Sequence, residues 1–233
     1  MNLKKSLAAV MLGAMMLPCG AETTAQTVSA RVASILGVKP ASVVKQPFGL
    51  WEVVLSADRV IYVDDGVRHA FTGSVIDLKT MQNLTEARVR ELSRIDWKTL
   101  PLGDALKVVH GSGKYKVAVF ADATCMYCKK LEDYLAKMGD VTVYIFVFPM
   151  RNSRAISRDV ICSKDAPRAW TELMTRGVKP AAGSCDDSVL DRNAALSKKL
   201  GVSGTPTLFF PSGERLGGVP SFEDLKAILR REG

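Results

Sequence analysis

The chain has 233 residues, of which 47% are hydrophobic and 24% charged, with a formal charge of +8. That length allows two domains. The basic residues are interleaved with acids, as in Glu86-Ala87-Arg88-Val89-Arg90-Glu91, which describes a solvated, mildly basic surface and argues against a nucleic-acid partner. In chain order, residues 1–21 are expected to be an export signal. Lys4 and Lys5 supply the positive start, and 6–17 is apolar but too short to span a bilayer. Cuts after Ala21 or after Ala25 both suit a signal peptidase, and loss of Lys4 and Lys5 lowers the charge to +6. Cys19 would suit a lipoprotein, although Pro18 before it is unlike the small residue such sites prefer. No later segment is long and apolar enough for a transmembrane helix, so no integral membrane segment is expected in the mature chain. Export means an oxidising compartment, where paired cysteines make sense.

Residues 26–81 form the expected first domain. A short amphipathic stretch, 28–36, precedes two strand-like runs at 50–55 and 60–63. The turn Asp64-Asp65-Gly66 leads into a further strand-rich segment, 67–78. So small an α+β unit leaves sheet edges unpaired. His69 is an ordinary polar strand residue in this reading. Residues 82–100 are expected to be a linker helix and hinge. The helix covers 83–95, capped by Thr85 or Asn83, with Leu84, Val89, Leu92 and Ile95 as a sparse apolar stripe. An ordinary surface helix packed on one domain is the competing reading.

The remaining residues, 101–233, read as a second domain. Val117-Ala118-Val119-Phe120 is a buried strand, followed directly by Cys125-Met126-Tyr127-Cys128. Cys128, Leu131, Leu135 and Met138 fall on one helical stripe, so Cys125 stands where a strand hands over to a helix N-terminus. Unpaired N–H groups and the helix dipole favour negative charge there, and a thiolate is the nucleophile in disulfide exchange. Cys128 lies one turn in, facing the core. Structural zinc uses the same spacing but needs further ligands, and Cys19, Cys162, Cys185, His69 and His110 make no second pair at that spacing. The run 141–148 reads as a strand buried on both faces, and about 150–198 as mostly helical. Gly204-Thr205-Pro206-Thr207 then opens another strand, 208–210. In the last helix Ser221 and Asp224 sit at capping-box spacing, with Phe222, Leu225, Ile228 and Leu229 inward.

Over nearly its whole mature length the chain resembles the DsbC family of bacterial periplasmic disulfide isomerases. The resemblance is carried by residues 120–128 around the two cysteines, by Ile161-Cys162-Ser163 with Ala169-Trp170, by Ala182-Gly183-Ser184-Cys185-Asp186, and by 200–206. One departure stands out, since the family commonly has Gly-Tyr between the active cysteines and this chain has Met126-Tyr127. The resemblance implies an α+β N-terminal dimerisation domain, a linker helix and an α/β thioredoxin-like domain with a helical insertion. It implies a cis bond before Pro206, a structural disulfide between Cys162 and Cys185, and edge strands that pair between subunits around residues 69–78.

The function it implies is a homodimeric, periplasmic thiol:disulfide interchange protein that reshuffles wrong disulfides in misfolded exported proteins, with chaperone activity. Cys125 would attack and Cys128 resolve. Met126 and Tyr127 would flank the nucleophile, and Thr205 and Pro206 would hold the substrate backbone. A DsbD-type membrane reductase would keep the dithiol reduced, and no metal or organic cofactor is needed. Asp122 reads as a helix-approach or surface carboxylate, with an influence on local proton balance as the alternative. Rival readings are a thiol oxidase or DsbG-like reductase on the same scaffold, and a non-enzymatic holdase. Met126 leaves the redox poise open between the first two.

Overall fold

A computed structural model describes residues 23–150 and 152–232; the expected signal over 1–21 and Cys19 lie outside the described residues. The first element is α1 (Ala25–Leu36), capped by Thr24 in reciprocal hydrogen bonds with Thr27 and ended by Gly37 at φ 67°. That left-handed end is one that glycine adopts without steric penalty. A cut after Ala21 would leave the Thr24 cap in place, and a cut after Ala25 would remove it.

Val28 and Val32 of α1 pack on an antiparallel sheet. Its strands are β1 (Ser42–Lys45), β2 (Trp51–Ser56), β3 (Arg59–Val63) and β4 (Ala70–Phe71), in that spatial order. Alternation along the strands sends Val53, Ile61 and Val63 to α1, while Val54, Val60 and Tyr62 face the other way. A small ladder follows, β5 (Ile76–Asp77) with β6 (Gln82–Asn83). Next comes α2 (Leu84–Leu92), whose Val89 and Leu92 pack on the second face of the sheet. Arg88 of α2 pairs with the buried Glu52 at 2.9 Å. The cap of α2 is Asn83, which accepts from the Glu86 N–H. Thr85 instead bonds the Tyr62 hydroxyl and the Val75 N–H. Two expectations change here. The strand-rich segment 67–78 supplies only the two-residue strands β4 and β5, and strand β1 was not anticipated.

The chain then crosses to a second core. Ile95 donates its N–H to the Gly213 carbonyl at 3.1 Å. A side chain on Gly213 would meet the Ile95 carbonyl oxygen at 2.1 Å, and its φ of +85° also favours glycine. The second sheet contains β7 (Leu106–His110), β8 (Tyr115–Ala121), β9 (Val141–Val147), β10 (Thr207–Phe209) and β11 (Arg215–Gly217). Their order is β11-β10-β8-β9-β7, with β8 and β9 parallel and the other pairings antiparallel.

Helices cover both faces of this sheet: α3 (Met126–Met138), α4 (Arg154–Ile161), α5 (Ala166–Arg176), α6 (Ser188–Lys199) and α7 (Phe222–Glu232). One core layer joins Val117, Val119, Val143 and Ile145 to Leu131, Trp170 and Leu225. The other joins Ala118, Phe120, Phe146 and Phe209 to Leu100 and Val202. Because β8 and β9 are buried on both faces, their sequences are near-continuously apolar. The molecule is thus an α+β N-terminal unit followed by a thioredoxin-like domain carrying α4, α5 and α6 between β9 and β10.

Candidate active site

The site lies where β8 ends. Cys125 follows a tight loop in which its N–H donates to the Asp122 carbonyl at 3.1 Å, and it then caps α3. Its Sγ accepts the Cys128 N–H at 3.4 Å, using one of the donors that every helix N-terminus leaves free. Cys125 is half-buried and Cys128 buried, and both are free thiols. Burial pushes the Cys128 thiol well above the ordinary cysteine range, against the backbone of Asp122 and the hydroxyl of Thr205, which both favour its thiolate. Two sulfurs one helical turn apart therefore stand in opposite environments.

The loop before β10 packs against them. The Thr205–Pro206 peptide is cis, and the Cys125 thiol donates to the Thr205 carbonyl at 3.4 Å. Pro206 is buried beneath. Met126 and Tyr127, by contrast, are 78% and 66% exposed, an apolar rim beside the half-buried sulfur. The structure therefore brings Cys125, Met126, Tyr127, Cys128, Thr205 and Pro206 together. Cys162 and Cys185 lie in another place, joined by a disulfide with Cα atoms 5.5 Å apart, where α4 ends against the loop before α6. Among the described residues no group of three or more His, Cys, Asp or Glu could hold a metal ion, and no helix is long and apolar enough to cross a membrane.

Met150 and Glu132 of this region escape a reading of the sequence, and Asp122 stands elsewhere than on the surface. Asp122 is 2% exposed, so the surface assignment is corrected. Its carboxylate accepts from the Thr124 N–H and hydroxyl at 2.7 and 2.6 Å, from the Met150 N–H at 2.6 Å, and from the Ser153 hydroxyl. Met150, on the loop after β9, receives the Thr205 hydroxyl on its Sδ at 3.7 Å. Glu132 is only 4% exposed on α3, one turn beyond Cys128. It accepts from Trp170 Nε1 at 3.3 Å, and its other oxygen stands 3.8 Å from His110 Nε2, both of those atoms lacking hydrogen bonds. Burial raises its carboxyl to about 7 and holds His110 below the usual histidine range.

The chain matches the disulfide bond isomerase protein N-terminal domain over residues 20–86 and a thioredoxin-like domain over 102–232. The probable thiol:disulfide interchange protein DsbC of Bordetella pertussis is 37% identical over 195 residues, which span 83% of this chain and 69% of the relative. The thiol:disulfide interchange protein DsbC of Escherichia coli K12 is 27% identical over 202 residues, 83% of each chain. Among solved structures, a disulfide interchange protein from Neisseria gonorrhoeae is 38% identical at a TM-score of 0.55. The match covers 57% of this chain and 98% of that one.

Proposed function

The chain belongs to the DsbC family of thiol:disulfide interchange proteins, and from that premise we propose that it reshuffles wrong disulfides in exported proteins through Cys125. The observation that carries the reading is the half-buried Cys125 sulfur, capping α3 above a buried partner and beside a cis-proline loop. As a thiolate, Cys125 attacks one sulfur of a substrate disulfide. That S–S bond breaks, a substrate thiolate leaves, and a mixed disulfide forms. A second substrate thiolate then displaces Cys125, so the substrate regains a disulfide in a new pairing and no net electrons move. When no substrate thiol arrives, Cys128 attacks the Cys125 sulfur, releasing a reduced substrate and leaving a Cys125–Cys128 disulfide. Two electrons have then passed to the substrate, and a membrane reductase of the DsbD type returns them.

Thr205 and Pro206 hold the substrate backbone in this mechanism, and the rim of Met126 and Tyr127 meets its side chains. The reading places the protein in the periplasm as a homodimer whose N-terminal units pair, with binding of unfolded chains as a second property. Support for pairing comes from exposed apolar side chains on one stretch of the N-terminal unit, namely Phe71, Ile76, Leu78 and Met81. The test is refolding of a scrambled multi-disulfide protein. The intact chain is expected to restore its activity and Cys125→Ser to lose all of that effect. Equal rescue by both would reduce the protein to a holdase, and rapid oxidation of reduced substrate without reshuffling would make it an oxidase.

A further inference from the structure

Strands β8 and β9 run parallel and end together, with the Phe148 N–H bonded to the Ala121 carbonyl at 2.8 Å. Asp122 is the next residue after β8, and its side chain carries the connection past the strand ends. One carboxylate oxygen takes the Thr124 N–H and hydroxyl, at 2.7 and 2.6 Å. The other takes the Met150 N–H at 2.6 Å and the Ser153 hydroxyl, which also lies 2.7 Å from the Met150 carbonyl. A carboxylate buried this deeply is costly unless hydrogen bonds replace its water. Among the described residues its donors belong to the loop that carries Cys125 and to the segment that follows β9.

Both of these segments also reach the cis-proline loop, each from its own side. The Cys125 thiol donates to the Thr205 carbonyl at 3.4 Å, and Met150 Sδ accepts the Thr205 hydroxyl at 3.7 Å. The Asp122 carboxylate therefore joins, behind the sulfur, the two segments that meet at Thr205. We propose that Asp122 is a positioning residue: it sets the gap between the Cys125 sulfur and the Thr205 backbone, and thereby favours disulfides carried on an extended polypeptide over small ones. The reason is geometric. A substrate lying along the Thr205 backbone presents its disulfide to Cys125 only when the two segments keep one separation, and a misplacement of about 1 Å costs roughly a hundredfold in rate. A small disulfide makes no such two-point contact and approaches the sulfur from many directions. Cys125 draws its reactivity from its cap on α3, through the Cys128 N–H, a contact the carboxylate does not make. The proposal rests on exchange at Cys125 and on substrate binding at Thr205, and it adds which disulfides the centre prefers.

Two reagents test this on the reduced full chain: dipyridyl disulfide, and an extended peptide whose central cysteine carries a pyridyl disulfide. Attack by Cys125 releases the same thiopyridone from both, so the ratio of the two rates isolates what the peptide backbone contributes. Asp122→Asn keeps the shape of the side chain, but whichever way the amide turns, its NH2 meets two donors and one segment comes free. It is expected to slow the peptide about tenfold and dipyridyl disulfide less than twofold, as a partial loss of alignment allows. The pH midpoint of the dipyridyl reaction should stay in place. Ser153→Ala removes a single bond and should lower the ratio in the same direction by less; added to Asp122→Asn it should cost nothing further, because both act through one carboxylate. Should Asp122→Asn fail to fold, the ratio for Ser153→Ala decides. Equal slowing of both reagents, which a weakened fold alone would give, overturns the proposal, as does an unchanged ratio. A shifted pH midpoint also overturns it, since Asp122 would then act through its charge. A wild-type chain that reacts with neither reagent would instead remove the exchange reading itself.

Discussion

The two cysteines differ through position alone, one at a helix cap and one a turn inside it, and Glu132 extends the same face into the core. Its carboxyl, raised to about 7 by burial against an ordinary 4.5, is protonated in the folded chain at pH values where the unfolded chain has released the proton. The unfolded state binds fewer protons in that window, so this residue's contribution to stability falls as pH rises from about 4.5 to about 7. Glu132→Gln keeps an acceptor for Trp170 and turns an N–H toward the unpartnered His110 Nε2. It is expected to be more stable than wild type by about 2 kcal/mol above pH 7, with the advantage fading as pH falls from about 7 to about 4.5. Urea unfolding at pH 4.5 and pH 8 measures this, and an equal gain at both values would sink it. The cysteine motif and Thr205-Pro206 were legible because local spacing marks them. Asp122 was not, since its burial depends on Met150 and Ser153 arriving from the end of β9. Glu132 had a signal, for it follows Leu131 and lies four residues after Cys128, yet its charge argued for the solvent side.

At the scale of elements, the long apolar strands and the amphipathic helices were readable from their periodicity. The short strands were not. Segment 67–78 alternates enough to read as strand, but positive φ at Val67 and Gly73 and turns on either side leave only Ala70–Phe71 and Ile76–Asp77 to pair. Strand β1 forms through its register with β2, from Ser42 opposite Val54 to Lys45 opposite Trp51, a long-range pairing that four residues do not announce. The α4–α6 region depends on close packing at its disulfide. A methyl group on Gly183 would sit 2.7 Å from Cys162 Cβ, and the Gly183 N–H is bound to Asp159 at 3.1 Å. Gly183→Ala should therefore cost about 1–3 kcal/mol. The Cys162→Ala/Cys185→Ala variant should lose about 3 kcal/mol through the longer reach of its unfolded chain. Denaturant titration of both variants tests the assignment; wild-type midpoints would refute it.

For the whole molecule the decisive question is association. Leu78 is 82% exposed and packs on little within the chain, so Leu78→Lys leaves the fold intact. The wild-type chain is expected to sediment as a dimer at micromolar concentration. Leu78→Lys should shift it toward the monomer and weaken rescue of a scrambled substrate, while reduction of a small disulfide proceeds at an unchanged rate. Sedimentation of the wild type as a monomer would end the homodimer reading.

The joint between the two units carries its own consequence for that dimer. On one side Val89 and Leu92 are packed on the N-terminal sheet; on the other Ile95 is bonded to Gly213, and only Ser93 and Arg94 lie between. Both of those residues still donate their N–H groups back to the last turn of α2. A long flexible tether would smear each dithiol over a wide sphere, its encounter with a client falling as the tether lengthens. In the proposed dimer a two-residue joint instead gives each Cys125 a high and nearly fixed local concentration between the N-terminal units.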